Sequence, residues 1–302
     1  MRRGPRSRGA RPTADERPGF RPRFFLAVPT PEVAGTVVSL SSEDARHART
    51  VLRSRPGDVC EVVLEPWRVL VTAVVLTVDG NVTLRLGEPE PGSSPGDAEE
   101  LAVVLVQALP RPADVDLIVE KGTEVGVDVF LLVPAQGSPP PSPDVPALRV
   151  ERWRRIATEA AKQSKQLARP DVVLAGSLEE ALRLLPGLVA APIGSRSGAH
   201  VVLPPEPASL RPVVSIILEP SAPGSLNEAL ATFSNERART SPSELPPALA
   251  VWVGPEGGWT DAELAWFAAE GLPVARLGRR ILRAQTAGPV AVALGRFTLG
   301  DW

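Results

Sequence analysis

Apolar residues recur along this chain in two rhythms, and the rhythm changes near residue 100. Between residues 21 and 90, short apolar runs at 24–28, 36–40, 59–64, 69–78 and 82–86 alternate with turn formers such as Pro56-Gly57-Asp58 and Asp79-Gly80-Asn81. That spacing predicts strands joined by tight turns, with one short helix at 44–53, and so a small β-barrel or β-sandwich. From residue 101 the pattern is different. A continuous apolar strand at 101–106 leads into a helical repeat at 113–125, carried by Val115, Ile118, Val119 and Val125. Gly126 stops the repeat, and 127–133 is apolar throughout. This is a βαβ unit with buried parallel strands. A long amphipathic helix is expected at 150–167, with Val150, Trp153, Ala157 and Ala160 inward. Strands near 171–174, 188–191, 213–218, 248–253 and 274–277 then alternate with helices near 178–185, 225–232, 261–270 and 287–298. The later part is therefore α/β with a mostly parallel sheet.

The segments between these regions divide the chain. Residues 1–20 are rich in Arg, Gly and Pro without periodicity, which predicts a disordered basic tail. Residues 21–90 form the β module, 91–98 a linker in a Pro/Gly/Ser-rich stretch, and 99–302 the α/β domain. A length of 302 residues suits two domains. The tail lacks the apolar region of a signal peptide, and no apolar run approaches bilayer length, so a cytoplasmic protein without a membrane partner is expected. The net charge of −2 gives no global signal for nucleic acid, but screening over about 10 Å leaves room for local basic patches. A single cysteine, Cys60, excludes an internal disulfide framework, and with His47 and His200 far apart no metal site is expected.

The chemistry concentrates between residues 248 and 287. An apolar strand delivers the chain into Gly254-Pro255-Glu256-Gly257-Gly258, after which Thr260 and Glu263 form a capping box that starts a helix. The next strand runs into Gly278-Arg279-Arg280-Ile281-Leu282-Arg283, with the last helix following Gln285-Thr286-Ala287 and Pro289 suited to its first turn. Two successive strands thus end in glycine-containing loops. In an open parallel sheet those ends line the ligand crevice, and glycines there let the backbone approach a flat ligand. Two ordinary tight turns would have the same composition. Neither a dinucleotide fingerprint nor a P-loop is present.

Those residues resemble the signature of the 16S rRNA uracil-N3 methyltransferase family. The likeness extends over about residues 21–300. It takes in Arg23-Phe24-Phe25, His47 with Val51-Leu52-Arg53, Glu120-Lys121-Gly122-Thr123-Glu124-Val125-Gly126-Val127, and Arg152-Trp153 with Glu159-Ala160-Ala161 and Gln163-Ser164. The resemblance implies a PUA-like β-barrel followed by a SPOUT domain, an α/β fold whose C-terminal segment makes a trefoil knot. It implies a homodimer acting on 16S rRNA of the small ribosomal subunit, with S-adenosyl-L-methionine as cofactor. The implied cofactor pocket comprises Leu218, Glu219 and Pro220, then Gly254, Glu256 and Gly257, then Leu277, Gly278, Ile281, Leu282 and Arg283.

Methylation at N3 requires loss of a proton and puts negative charge on O2 and O4 of the uracil. A fixed guanidinium stabilises such charge. Arg283 is the first candidate for this role and Arg111 the second. Glu256 is either a proton acceptor or a brace for its loop, and the base stays unassigned. Arg23, His47 and Arg53 in the β module, and Arg152, Arg155, Lys162 and Lys165 in the α/β domain, are the candidate RNA contacts. The chain departs from the resembled pattern at Gln285, where glutamate is common. It departs also at Asp114, Pro139 and Gln166, where basic residues are usual. Loss of basic positions weakens phosphate binding. Two alternatives therefore stay open: a SPOUT methyltransferase acting on another RNA site, and a catalytically weakened RNA-binding paralogue.

Overall fold

The computed structural model describes residues 21–91, 101–138, 146–190, 211–241 and 245–300, and the chain separates into two compact units, Met1–Ser94 and Pro95–Trp302. The expectations for the tail 1–20, for all but the first residue of the linker 91–98, and for Pro139 and His200 lie outside the described residues.

In the first unit the alternating runs form β1 (Arg23–Ala27), β2 (Val37–Ser39), β3 (Val59–Glu65), β4 (Val69–Thr77) and β5 (Thr83–Pro89). They make one sheet in the order β1-β3-β4-β5-β2, with β1 parallel to β3 and the other neighbours antiparallel. Phe24, Val62, Leu64, Val71, Leu84 and Leu86 lie on the inward face and form its core. The helix expected at 44–53 divides in two. Helix α1 (Ser42–His47) is capped by the Ser41 side chain, and a π-helical turn, Ala48–Leu52, follows. The Thr50 hydroxyl donates to the Arg46 carbonyl at 2.8 Å, the kind of back-bonding that bends helices.

Cys60 faces this core and is 1% exposed. Burial, and then the charges of Glu61 and Asp58, push its thiol up to about 12 from an ordinary 9.0. The folded chain thus holds this proton more tightly than the unfolded chain. The associated stability is intact below 9.0 and lost as pH climbs through about 12. We expect a thiol reagent at neutral pH to leave Cys60 unmodified until denaturant is added. Alkaline unfolding should begin at lower pH in the native chain than in Cys60→Ala.

The second unit comprises β6 (Val103–Ala108), α2 (Pro112–Glu124), β7 (Val129–Val133), α3 (Pro146–Gln163), β8 (Asp171–Leu174), α4 (Leu178–Ala190), β9 (Val213–Leu218), α5 (Leu226–Arg239), β10 (Ala248–Val253), α6 (Asp261–Ala269), β11 (Val274–Ala275) and α7 (Ala284–Thr298). All recorded strand pairs are parallel, in the order β11-β9-β10-β6-β7-β8. Both faces of this sheet are covered, which is why its strands are apolar throughout. Leu101, Val103 and Leu105 pack with residues of α2, α3, α5 and α7, while Ala102, Val104 and Val106 pack with residues of α4 and α6.

Several boundaries differ from expectation, three of them for reasons of packing or backbone conformation. The strand expected at 188–191 is absent among the described residues, because α4 runs through Pro186 to Ala190. Pro186-Gly187 reads as a turn, yet Leu185, Leu188 and Val189 recur at helical spacing and are buried, so tertiary packing decides the conformation. Helix α3 ends at Gln163, before Lys165 at φ 60, and not at 167. Helix α7 begins at Ala284, which leaves Pro289 inside the helix and deprives the Gln285 carbonyl of its usual donor.

The sheet places the site. From β6 the chain proceeds to β7 and β8 on one side, while β10, β9 and β11 lie on the other. The strand order therefore switches direction between β6 and β10, and a crevice opens at their carboxyl ends.

Candidate functional site

Four loops meet at that crevice, and each follows a strand. Around them lies a pocket of about 480 Å³, within the usual range for small-molecule sites. After β9, Leu218, Glu219 and Pro220 line it. Glu219 folds back on its own loop and accepts from the Ser221 backbone at 3.1 Å and hydroxyl at 2.9 Å. After β10, Gly254, Pro255 and Glu256 line it, and the turn closes with the Gly258 amide donating to Pro255 at 2.9 Å. Trp259 packs beneath this turn and donates its indole N–H to the Leu218 carbonyl at 3.1 Å, tying the β9 and β10 loops together. The expected capping box at Thr260 and Glu263 is formed. Glu263, itself buried, also accepts from the Gln136 amide at 2.8 Å and so anchors the loop after β7.

After β11, Leu277, Gly278, Ile281, Leu282 and Arg283 line the pocket, as expected, and Arg280, Ala284 and Gln285 join them. Arg283 is the N-cap residue of α7. After β6, Arg111 and Asp114 line the opposite wall. Among the described residues, the side chains of Arg111, Asp114, Arg280 and Arg283 have no hydrogen-bond or ion-pair partner. Three guanidinium groups and a carboxylate thus face the pocket uncompensated, in a chain with almost no net charge.

One expected residue sits differently, and another takes one of its two expected roles. Gly257 is not on the pocket wall; a Cβ there would come no nearer than 4.0 Å to Gly137. Glu256 accepts from the Arg111 amide at 3.2 Å. Arg111 is the N-cap of α2 and has no side-chain cap of its own, so Glu256 caps that helix from a distant loop. The carboxylate braces the β6 and β10 loops against each other.

Glycine serves the pocket at two positions. A Cβ on Gly254 would lie 3.3 Å from the Trp259 ring, a close approach that the ring would have to yield to. A Cβ on Gly278 would meet nothing within 4 Å, because the space beside it is the pocket.

The candidate RNA contacts scatter. Arg23 is buried and paired with Glu61 at 2.9 Å, which makes it part of the β module's own structure. His47 is half-buried at the end of α1, and Arg53 is exposed in a left-handed conformation at φ 56. Arg46, Arg49 and Arg55, also exposed, share that stretch. In the second unit Arg155 is exposed, Lys165 is half-buried, and Arg152 pairs with Asp116 at 2.5 Å. Lys162 does not share their solvent face. It is 7% exposed and paired with Glu159 at 2.7 Å, since α3 turns this position toward the sheet. Arg280 is a pocket residue that sequence reasoning missed. Its signal was its place in the glycine-led loop after a strand, directly before Ile281.

The family model of an RNA methyltransferase domain matches residues 97–295. The ribosomal RNA small subunit methyltransferase E of Synechocystis is 30% identical over 282 residues, covering 89% of this chain and 76% of that protein. The protein of the same name from Mycobacterium bovis is 29% identical over 265 residues, covering 86% of each. Among solved structures, a ribosomal RNA small subunit methyltransferase E from Neisseria gonorrhoeae, bound to S-adenosyl methionine, has a TM-score of 0.67 at 22% identity, with 92% of this chain and 98% of that chain covered. A methyltransferase from Legionella pneumophila in complex with the same cofactor reaches 0.69 at 19% identity, with the same coverage. At such identities the structural likeness speaks for the fold alone, a parallel α/β domain preceded by a β module.

Proposed function

Because the chain belongs to the RNA methyltransferase family, we propose that it transfers a methyl group from S-adenosylmethionine to N3 of one uridine in the 16S rRNA of the small ribosomal subunit. The observation that carries this reading is the pocket at the switch point, walled by backbone and apolar side chains and faced by Arg111, Arg280 and Arg283. When bound, the cofactor supplies a methyl group already activated on a sulfonium. Leu218, Leu277 and Leu282 offer its flat adenine an apolar wall, and Gly278 offers open space beside the backbone. Ile281, 83% exposed on the rim, is an apolar surface that a bound ring would cover. The arginines face the mouth where a target base would enter, and their charge complements the oxygens of a uracil losing its N3 proton.

The reading includes a homodimer, supported by exposed Leu117 on α2 and Leu294 and Phe297 on the neighbouring α7. It also includes RNA contact by the exposed arginines near α1, and residence in the cytoplasm, where ribosomes are made. No helix among the described residues is long and apolar enough to cross a membrane.

A second reading, methylation at another RNA site, is favoured by Asp114. This carboxylate lines the pocket where the resembled family commonly carries a basic residue, so the mouth attracts phosphate less strongly than a basic residue there would. One experiment separates the two. Purified protein is given the labelled donor and small subunits from a strain lacking the chain, and the methylated nucleotide is mapped by mass analysis. Label at N3 of a uridine in 16S rRNA supports the first reading, and label elsewhere the second.

Gly278→Leu tests the pocket itself. Its backbone conformation suits any L residue, and its side chain would enter the open space. Calorimetry is expected to find donor affinity reduced by about 100-fold or more, since displaced contacts are not recovered, with the melting temperature nearly unchanged. Unaltered donor binding would place the donor elsewhere.

A further inference from the structure

The last residue but one of strand β6 is a glutamine whose role none of the foregoing explains. Gln107 lies opposite Val253 in the β6–β10 pair, at the switch point, and its side chain is fully buried. The amide nitrogen donates to the Ala108 carbonyl at 2.9 Å and faces the carbonyls of Val253 and Gly254, each at 3.4 Å. Two N–H bonds therefore serve three carbonyl oxygens. The amide oxygen has no partner. It points toward α7, where a Cβ on Gly288 would lie 3.5 Å away. Turning the amide over would set oxygen against three carbonyls, so the surroundings dictate this orientation.

A buried acceptor without a donor destabilises the fold, so the amide is accounted for by what its nitrogen binds and not by packing. What the amide does is hold the end of β10 where the chain turns into the pocket. Val253 and Gly254 both line that pocket, and Gly254 has no side chain with which to fix its own turn. Trp259 confines the turn from one side, with its ring 3.3 Å from where a Gly254 Cβ would be, and Gln107 confines it from beneath.

We propose that Gln107 is a positioning residue for the methyl donor: its buried amide sets the Gly254 backbone at the floor of the pocket. The inference rests on the reading of that pocket as the donor site. Arg111 follows on the same strand's loop, and Glu256 on the Gly254 loop accepts from its amide. The grip on Gly254 therefore also fixes the wall that faces the target base.

The test uses two variants of the full chain, Gln107→Met and Gln107→Glu. For each, S-adenosylmethionine binding is measured by calorimetry well below the melting temperature, and binding of small-subunit RNA is measured by filter retention. Methionine keeps the length and removes the donor, so donor affinity is expected to fall by about tenfold or more, with RNA affinity and melting temperature little changed. Glutamate opposes three carbonyls while ionised and regains one O–H donor when protonated. Its donor affinity, relative to the native chain at the same pH, should be weak at about pH 8.5 and recover at about pH 6, because burial raises a carboxyl's pKa. The acid form is nearly isosteric with glutamine and carries the test should the methionine variant fold poorly. Donor binding within about twofold of native in both variants, at both pH values, overturns the proposal. A parallel fall in donor affinity, RNA affinity and melting temperature also overturns it, because that is the mark of general structural damage. A native chain that binds no S-adenosylmethionine would instead overturn the reading of the pocket, and the proposal with it.

Discussion

Replacing Arg283 by alanine is expected to lower the turnover of methyl transfer by about 10²–10³-fold while changing donor affinity little. In free energy this is about 3–4 kcal/mol, the usual worth of one preorganised donor aimed at developing negative charge. Arg283 sits at the N-cap of α7 with no partner among the described residues, so its charge is available to a substrate and is not consumed within the fold. Loss of the N3 proton spreads charge over two uracil oxygens, and this charge exists only as the reaction proceeds. An interaction with it therefore raises turnover more than it tightens binding. Arg283→Lys should restore part of the rate, because a point charge replaces the planar fork. Arg111→Ala and Arg280→Ala serve as comparisons from the opposite wall and the same loop. Single-turnover rates at saturating donor decide the matter. A native rate in Arg283→Ala would leave Arg111 or Arg280 as the stabilising charge.

The fold was legible where local pattern and tertiary role agree. Val103 to Ala108 are apolar almost without interruption because helices cover both faces of the sheet, and that run alone argues for a buried parallel strand. It was illegible where packing overrides local preference. Pro186-Gly187 looks like a helix end, yet Leu188 and Val189 gain more by continuing the buried face of α4 than the proline costs. The pocket was legible as two glycine loops following strands, and the resemblance added the third loop through Leu218. Three features had no sequence signal. Strand order brings Asp114, far away in the chain, to face the late loops beside Arg111, itself a candidate from the sequence. Glu256 turns out to cap α2, which no local spacing announces. Lys162 looks like a surface cation beside Arg155, but the helical phase of α3 carries it inward to Glu159.

The second large effect concerns the far end of the helix that bears Arg283. Arg296, 7% exposed, donates to the Gly126 carbonyl at 2.7 Å and to the Asp128 carboxylate at 2.8 Å. The same Asp128 oxygen accepts from the Val103 amide at 2.8 Å. One buried pair thus joins α7 to the end of α2, the approach to β7 and the start of β6. Gly126 is required twice over. Its φ of +90 is unfavourable for a side chain, and a Cβ would lie 2.5 Å from the Arg296 Nε. Removing one member of such a pair takes from the other a partner that offsets the cost of its burial. Arg296→Met and Asp128→Leu are each expected to cost about 3–5 kcal/mol, because the desolvation of the remaining ion is no longer offset. In a domain of this size that lowers the melting temperature by roughly 6–20 °C. The double variant should cost clearly less than the two singles combined, since each single already removes the interaction between the two charges. Thermal melts of the four proteins measure the coupling. Additive losses would mean that the pair does not act as a unit, and that α7 is held in place by its packing against α2, α5, β6 and β10.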